Sequence, residues 1–367
     1  MALTGSGEIS IAGSTSGRSI ALEFGRGATA TLSLSELYRG GGIVPNATAN
    51  NNIPTSGAIS LSNFYNAVNR ITGYNNLATN LTNYNVSSSS FMNYVAGVMD
   101  ITIYIPTSST ISSTGGSAAL TIGALSPGDK VFIDNRGTIQ GHGGKGGGEY
   151  GAPGNYFYKS DGAAGGNAID ISGTNATVTI SNSGIIAGGG GGGGNGQAWN
   201  VTYPTGYTTG IHYFRAGGGG GGQGNYGGGA GNYVGPGNVY PTNYYAGAAS
   251  GSAGTSSAAG AGGTGDYGHW WAVSPNYYGR GGSGGSGGAR GASGATGSRG
   301  TYSGQDLGGP YNVPDPSGNI PYGGAVVVYT GYSTFSAGGA AGNAIKGTAK
   351  LSAPVTNTGT ILGPQVA

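Results

Sequence analysis

Between Ile186 and Gln197 the chain reads IAGGGGGGGNGQ, with seven consecutive glycines from Gly188 to Gly194. Such a run offers no apolar surface and no reactive group, and glycine loses more freedom on ordering than any other residue. A fold that contains it must recover that cost through the backbone itself. Glycine makes up 85 of the 367 residues, far above the usual level of about 7%. Disorder does not follow. Charged residues are only 7% and the chain holds 25 Tyr, 7 Phe and 3 Trp, the reverse of a disordered composition.

The glycines cluster in 188–194, 217–231, 247–265, 279–300 and 336–342. Within 279–300 they recur at 279, 282, 285, 288, 291, 294, 297 and 300. A left-handed helix with three residues per turn places every third residue on one edge. Collagen shares that period but is rich in proline, and this stretch has none. The pattern predicts a bundle of polyglycine II helices bonded to one another, because such a helix has no internal hydrogen bonds. A helix enclosed on every side tolerates no Cβ, which accounts for the seven-glycine run. Ordering backbone costs about 1–2 kcal/mol per residue and a hydrogen bond returns about 0.5–1.5, so the bundle needs an anchor.

A repeat supplies one. FIDNRGTIQG (132–141), TISNSGIIAG (179–188) and PVTNTGTILG (354–363) align as apolar-x-Asn-x-Gly-x-Ile-x-Gly, with Asn135, Asn182 and Asn357 in register. The alternation puts Ile133, Asn135, Gly137 and Ile139 on one side of an extended chain. Three stacked copies give Asn and Ile ladders, as in a small solenoid, although N-x-G alone also marks turns. GGNAI (165–169) and AGNAI (341–345) form a second, shorter repeat. The expected fold class is therefore mostly β and irregular, with little α.

Between the glycine stretches lie aromatic segments: 149–161, 195–216, 232–246, 266–278 and 301–320. They contain all three tryptophans. One role for these rings is to seal the ends of the bundle. Tyr, Ser, Gly, Asn and Trp are also the composition of adaptable binding surfaces, and we favour recognition. An up-and-down path with 323–331 as one more strand places 149–161, 195–216 and 266–278 at one tip.

Residues 1–95 differ in composition. LSLSELYRG (32–40) and ISLSNFYNA (59–67) resemble each other and suit short Ser-capped turns burying Leu37 and Tyr38, and Phe64 and Tyr65. Residues 96–130 read as strands leading into the first repeat. The division expected is 1–95 as an attachment region, 96–187 as β scaffold with a first insertion at 141–166, 188–342 as the glycine bundle, and 343–367 as a closing scaffold strand.

Chemistry is hard to find. His142, His212 and His269 lack the spacing of a zinc helix, and GHGGKGG (141–147) lacks the Ser or Thr of a phosphate loop. With no cysteine and a net charge of +2, neither a thiolate metal site nor a nucleic-acid partner is indicated. No segment reads as a signal peptide or membrane span. The expectation is no enzyme, no metal and no cofactor, in a protein made in a host cytoplasm and released by lysis.

Glycine stretches alternating with variable segments on N-x-G-x-I-x-G strands resemble the distal receptor-recognition adhesins of T-even-type phage long tail fibres, over about 131–367. The resemblance implies a polyglycine II bundle whose tip segments bind an outer-membrane protein or surface glycan of a bacterium. It implies receptor contacts from Trp199, Tyr203, Tyr207, Tyr213, Trp270, Trp271, Tyr277 and Tyr278. The N-terminal segments look instead like those of assorted phage tail proteins, which implies virion attachment around Leu37, Tyr38, Phe64 and Tyr65. Other tail proteins are then partners, and both a homotrimer and a monomeric tip fit. The rival from another class is a purely structural virion or filament subunit; a polysaccharide-cleaving enzyme would need two carboxylates about 5–9.5 Å apart.

Overall fold

The structure is a computed structural model that describes residues 2–148, 160–205, 208–228, 230–231, 244–246, 248–265, 267–269, 277–280, 282–304, 311–312, 319–322, 325–328 and 335–367. Apart from a four-residue helix, α1 (Ile20–Glu23), and four short 3-10 turns, its elements are strands.

Strands β1 (Ile71–Asn76), β2 (Leu81–Thr82) and β3 (Tyr84–Val86) make one turn of a solenoid. β4 (Met99–Ile105), β5 (Thr110–Ser112) and β6 (Leu120–Ile122) make the second, and β7 (Lys130–Asn135), β8 (Thr138–Gln140) and β9 (Ile169–Asp170) the third. β10 (Thr177–Asn182) and β11 (Ile185–Ala187) begin the fourth. The chain then leaves for an insertion carrying β12 (Trp199–Thr205), β13 (Thr208–Phe214), β14 (Tyr244–Ala246), β15 (Tyr267–His269), β16 (Tyr277–Arg280), β17 (Thr301–Gly304), β18 (Tyr311–Asn312), β19 (Asn319–Tyr322) and β20 (Ala325–Val328). β21 (Ile345–Lys346) completes the fourth turn, and β22 (Thr356–Asn357), β23 (Thr360–Leu362) and β24 (Gln365–Val366) form a fifth.

Like strands stack in parallel into three five-stranded sheets, β1-β4-β7-β10-β22, β2-β5-β8-β11-β23 and β3-β6-β9-β21-β24. The sequence repeat foresaw three layers. The first two were missed because Ile105 stands where Asn135 stands one layer on, so they lack the asparagine signature. Alternation within each strand sends Ile101, Ile103, Val131, Ile133, Val178 and Ile180 into a common core with Ile111, Ile139, Ile169 and Ile186.

The repeat motif acts at the corner between the first two sheets. Asn135 Nδ2 donates to Asn182 Oδ1, and Asn182 Nδ2 to Asn357 Oδ1, each at 2.7 Å. Gly137, Gly184 and Gly359 stack beside this ladder. A Cβ on Gly184 would lie 2.0 Å from the Gly137 carbonyl oxygen, and one on Gly359 2.1 Å from that of Gly184. The glycine is there so that successive layers can approach.

Residues 2–68 form a separate small core of Leu3, Ile20, Phe24, Leu37, Val44, Ile53, Phe64 and Ala67. The two resembling segments adopt matching turns. Ser60 N–H donates to Asn63 Oδ1 at 2.8 Å, and Ser33 N–H to Glu36 Oε2 at 3.0 Å. Tyr38 Oη donates to Gly57 O at 2.5 Å and Tyr65 Oη to Gly7 O at 2.6 Å. Leu37 and Phe64, expected to take part in attachment, lie inside this core, 2% exposed, where they pack against its other side chains. Residues 71–86, grouped by composition with this region, belong to the solenoid.

Candidate functional site: the tip of the glycine bundle

Both glycine insertions leave the solenoid at the corner between the second and third sheets, after Gln140 and after Ala187. Residues 188–197 then run through the middle of a bundle. Successive N–H groups leave in three directions. Gly191, Gly194 and Gln197 donate to Ala292, Ala295 and Ser298; Gly189 and Gly192 to Gly166 and Ala163; Gly190, Gly193 and Gly196 to Gln223, Gly220 and Gly217. The carbonyls repeat the pattern. Gly144 and Gly147 donate to Gly190 and Gly193; Gly339 and Gly342 to Gly192 and Gly189; Gly285 and Gly288 to Gly194 and Gly191. The run thus has 141–148, 160–166, 217–224, 282–289, 292–300 and 336–342 around it on every side.

These neighbours also bond to each other in a closed ring. Gly222 donates to Gly144, Ala163 to Lys145, Gly162 to Ala337, Gly294 to Gly339, Ala295 to Ser286, and Gly217 to Gly282. A Cβ built on any residue of Gly188–Gly194 would lie 1.7–2.0 Å from a carbonyl oxygen. That is why seven glycines run together. The six glycines 217–222 are the second enclosed segment, ringed by 141–148, 188–197, Gly228 and Gly231, 249–255, 258–264 and 282–289. On the outer segments the residues between contacts carry Ser, Ala or Thr, and Ser286, Ala289 and Ser293 are exposed.

The pairing directions fix which end is which. Residues 188–197 run away from the solenoid, whereas 217–224 runs antiparallel to them, back toward it. Each long glycine stretch proves to be two segments folded about a tight turn near 224–226, 255–258 and 290–291. Gly291 reverses the chain at φ +67, and Arg290 Nη2 and Gln223 Nε2 both donate to Ser256 O, tying the three turns together. Because every stretch goes and returns, all five aromatic segments leave and re-enter the bundle at the end far from the solenoid. The expected division between two tips is corrected: one stretch was counted as one passage when it makes two. The return passage is 336–342, and 325–328 is β20 of the tip.

Strands replace the expected loops there. β13-β12-β20-β19 and β14-β15-β16-β17-β18 form two antiparallel sheets. Trp199 begins β12 at the base. Expected on the contact surface, it is fully buried, its ring stacked on Phe214 with centroids 4.4 Å apart and Nε1 donating to Arg280 O at 3.0 Å. A large ring next to a glycine-only run fills the volume that bare backbone leaves. Below it, Gln197 Oε1 accepts Gly300 N–H at 3.0 Å, and Ser336 Oγ lies 2.7 Å from Asn195 Oδ1 and 2.8 Å from Ser160 O. Asn195 and Gln197 interrupt the glycines where the bundle ends, and their amides satisfy backbone groups that no further segment meets.

Of the other expected contact residues, Tyr203 lies on β12, Tyr213 on β13, and Tyr277 and Tyr278 on β16, with Tyr278 paired to His269. Tyr207, Trp270 and Trp271 lie outside the described residues. Sequence reasoning missed that Trp199 and Phe214 are register partners at the base of one hairpin; the equal distance of both from Thr205–Thr208 is the signal that pairs them. Among the described residues no cluster of His, Asp or Glu is placed to hold a metal ion, and no helix is long and apolar enough to cross a membrane.

Comparison with known proteins gives one assignment. No curated protein and no solved structure matches the chain. The profile of the family described as phage tail fibre adhesin Gp38 matches residues 68–366, which is the solenoid and everything inserted in it. The small N-terminal core lies before the match. A chain matched over this length, with its glycine segments and aromatic tip inside the match, belongs to the phage tail fibre adhesin Gp38 family.

Proposed function

We propose that this adhesin recognises a bacterial outer-membrane protein or surface glycan through the aromatic segments at the tip of the bundle. The glycine segments act as polyglycine II helices whose lateral bonding makes a stiff mount. Contact falls to Tyr203, Tyr207, Tyr213, Trp270, Trp271, Tyr277 and Tyr278, while Trp199 anchors the first hairpin beneath them. The observation that carries this reading is that five segments of binding-surface composition emerge together from a frame that accepts no side chain in its interior. Segments held by a stiff frame lose little entropy on docking and can change without unfolding what holds them.

The N-terminal unit attaches the protein to the phage tail through the matching turns around Tyr38 and Tyr65. The interaction is adhesion, without bond-making or bond-breaking. Exchange of residues 199–214 and 267–280 for those of another family member tests the assignment. Adsorption specificity is expected to follow the exchanged segments in virions that still assemble. Loss of assembly with unchanged specificity would assign these segments to subunit packing.

A further inference from the structure

The tip is not the only aromatic surface. The first solenoid sheet turns one face to solvent, and on it the register places Tyr74, Thr102, Phe132 and Thr179 side by side in one row. The adjacent row of that face reads Asn76, Tyr104, Asp134, Ser181 and Thr356. Tyr74 is 62% exposed and Phe132 is 40% exposed. Tyr104 stands diagonally between them, with the Arg136 guanidinium 5.3 Å from its ring centre. Arg136 also pairs with Asp134 at 3.0 Å while its own side chain stays 53% exposed.

A bland reading is that these rings stabilise the sheet as cross-strand pairs. Phe132 does not fit it, because its direct neighbours on both sides are the small residues Thr102 and Thr179. Phe132 is therefore partly open to solvent. Tyr74 and Phe132 are two strands apart on a parallel stack, about 9.5 Å. Aromatic faces at that spacing match alternate rings of an extended glycan. The groups between and beside them, the Thr102 hydroxyl, Asn76 and the Asp134–Arg136 pair, offer hydrogen bonds to sugar hydroxyls. An apolar protein surface would instead leave Asp134, Arg136 and Asn76 desolvated.

We propose that the outer face of this sheet is a second binding surface, separate from the tip, that takes a linear bacterial surface polysaccharide along the row from Tyr74 to Phe132. Threonine fits the strand and matches its neighbours there, so Tyr74→Thr with Phe132→Thr removes the rings with the least disturbance.

The test uses the full chain and two probes from a strain that the fluorescently labelled protein decorates: delipidated lipopolysaccharide and capsular polysaccharide. The unaltered protein is expected to bind one of them, with the source given by which one. The double variant is expected to lose roughly tenfold or more in affinity at unchanged melting temperature, and Ser286→Ala, at an exposed position of an outer glycine segment, to bind as before. Phe132→Tyr is expected to keep binding, which separates loss of the ring from loss of the fold. Absence of binding to both probes, or a double variant that binds as tightly as the unaltered protein, overturns the proposal. So does a double variant whose molar mass in solution falls, because the face would then be covered by a second copy.

Discussion

Asn135 and Asn182 are separated by 47 residues and joined by one hydrogen bond, Nδ2 to Oδ1 at 2.7 Å. Both side chains are buried, and Asn182 repeats the bond to Asn357 in the next layer. Their common corner is where two of the solenoid's sheets meet, a short strand before the insertions depart, so the ladder sets the register from which the bundle grows. It ends against Ile105, and Asn135 Oδ1 accordingly has no partner.

Removing the middle of the ladder takes the 2.7 Å partner from the buried Asn135 amide, leaves it a bond to Ile185 O at 3.2 Å, and opens a cavity at the corner. Asn182→Ala is expected to cost about 2–4 kcal/mol, from the lost hydrogen bonds and the cavity together. Asn357→Ala, at the exposed end, is expected to cost under about 1 kcal/mol, since water replaces the partner. Denaturant unfolding of both variants checks the difference, which matters more than either value.

The enclosed glycine segment makes a sharper demand. A Cβ on Gly191 would lie 1.9 Å from the Gly339 oxygen, and that carbonyl cannot retreat because it accepts the Gly294 N–H. Gly191→Ala is expected to destabilise by about 3 kcal/mol or more. Ser286→Ala, on an outer segment, is expected to stay within about 0.5 kcal/mol. Thermal melts of the two variants provide the comparison.

Trp199 is buried at the base of the tip, apart from the residues proposed to make contact. Trp199→Ala is expected to cost about 3–5 kcal/mol and to weaken adsorption indirectly. Trp199→Phe keeps a ring against Phe214 but gives up the bond to Arg280 and some packed volume, for about 1–2 kcal/mol. Tyr278→Ala is expected to weaken adsorption without moving the melting temperature. A Trp199→Phe variant that adsorbs poorly at full stability would place this ring among the contacts after all.

Acidification acts on His142, which sits at the root of the bundle with Nδ1 3.1 Å from Ser113 Oγ. Burial lowers its pKa from the ordinary 6.5, so folding favours the neutral ring and the unfolded chain binds the extra proton. Its contribution is constant above about pH 6.5 and is lost as pH falls below that value toward the folded-state pKa. His142→Gln is expected to flatten that part of the stability profile. An unchanged profile would assign the acid sensitivity to other groups.

Much of this architecture could be read in the chain because its signals are local. Period two marks the strands, period three the glycine segments, and Asn-x-Gly the corner. The seven-glycine run pointed to an enclosed segment, and the segment is enclosed. Two features escaped for physical reasons. Reversals at 224–226, 255–258 and 290–291 are short and share no pattern, Gly-Asn-Tyr in the first, Thr-Ser-Ser-Ala in the second and Arg-Gly in the third, so no period reports them. The burial of Trp199 depends on a partner, Phe214, and on a carbonyl 81 residues away, neither of which periodicity reports.

The central claim is that bare backbone forms the interior of this protein by bonding sideways, one amide to each of several neighbours. Amide hydrogen exchange of Gly188–Gly194 tests it most directly, because those seven N–H groups have no other means of protection. The account predicts protection comparable with Ile133 and Ile180 in the solenoid core, lost together with it on global unfolding. Exchange of these glycines at the rate of an unstructured peptide, while the solenoid remains protected, would contradict it.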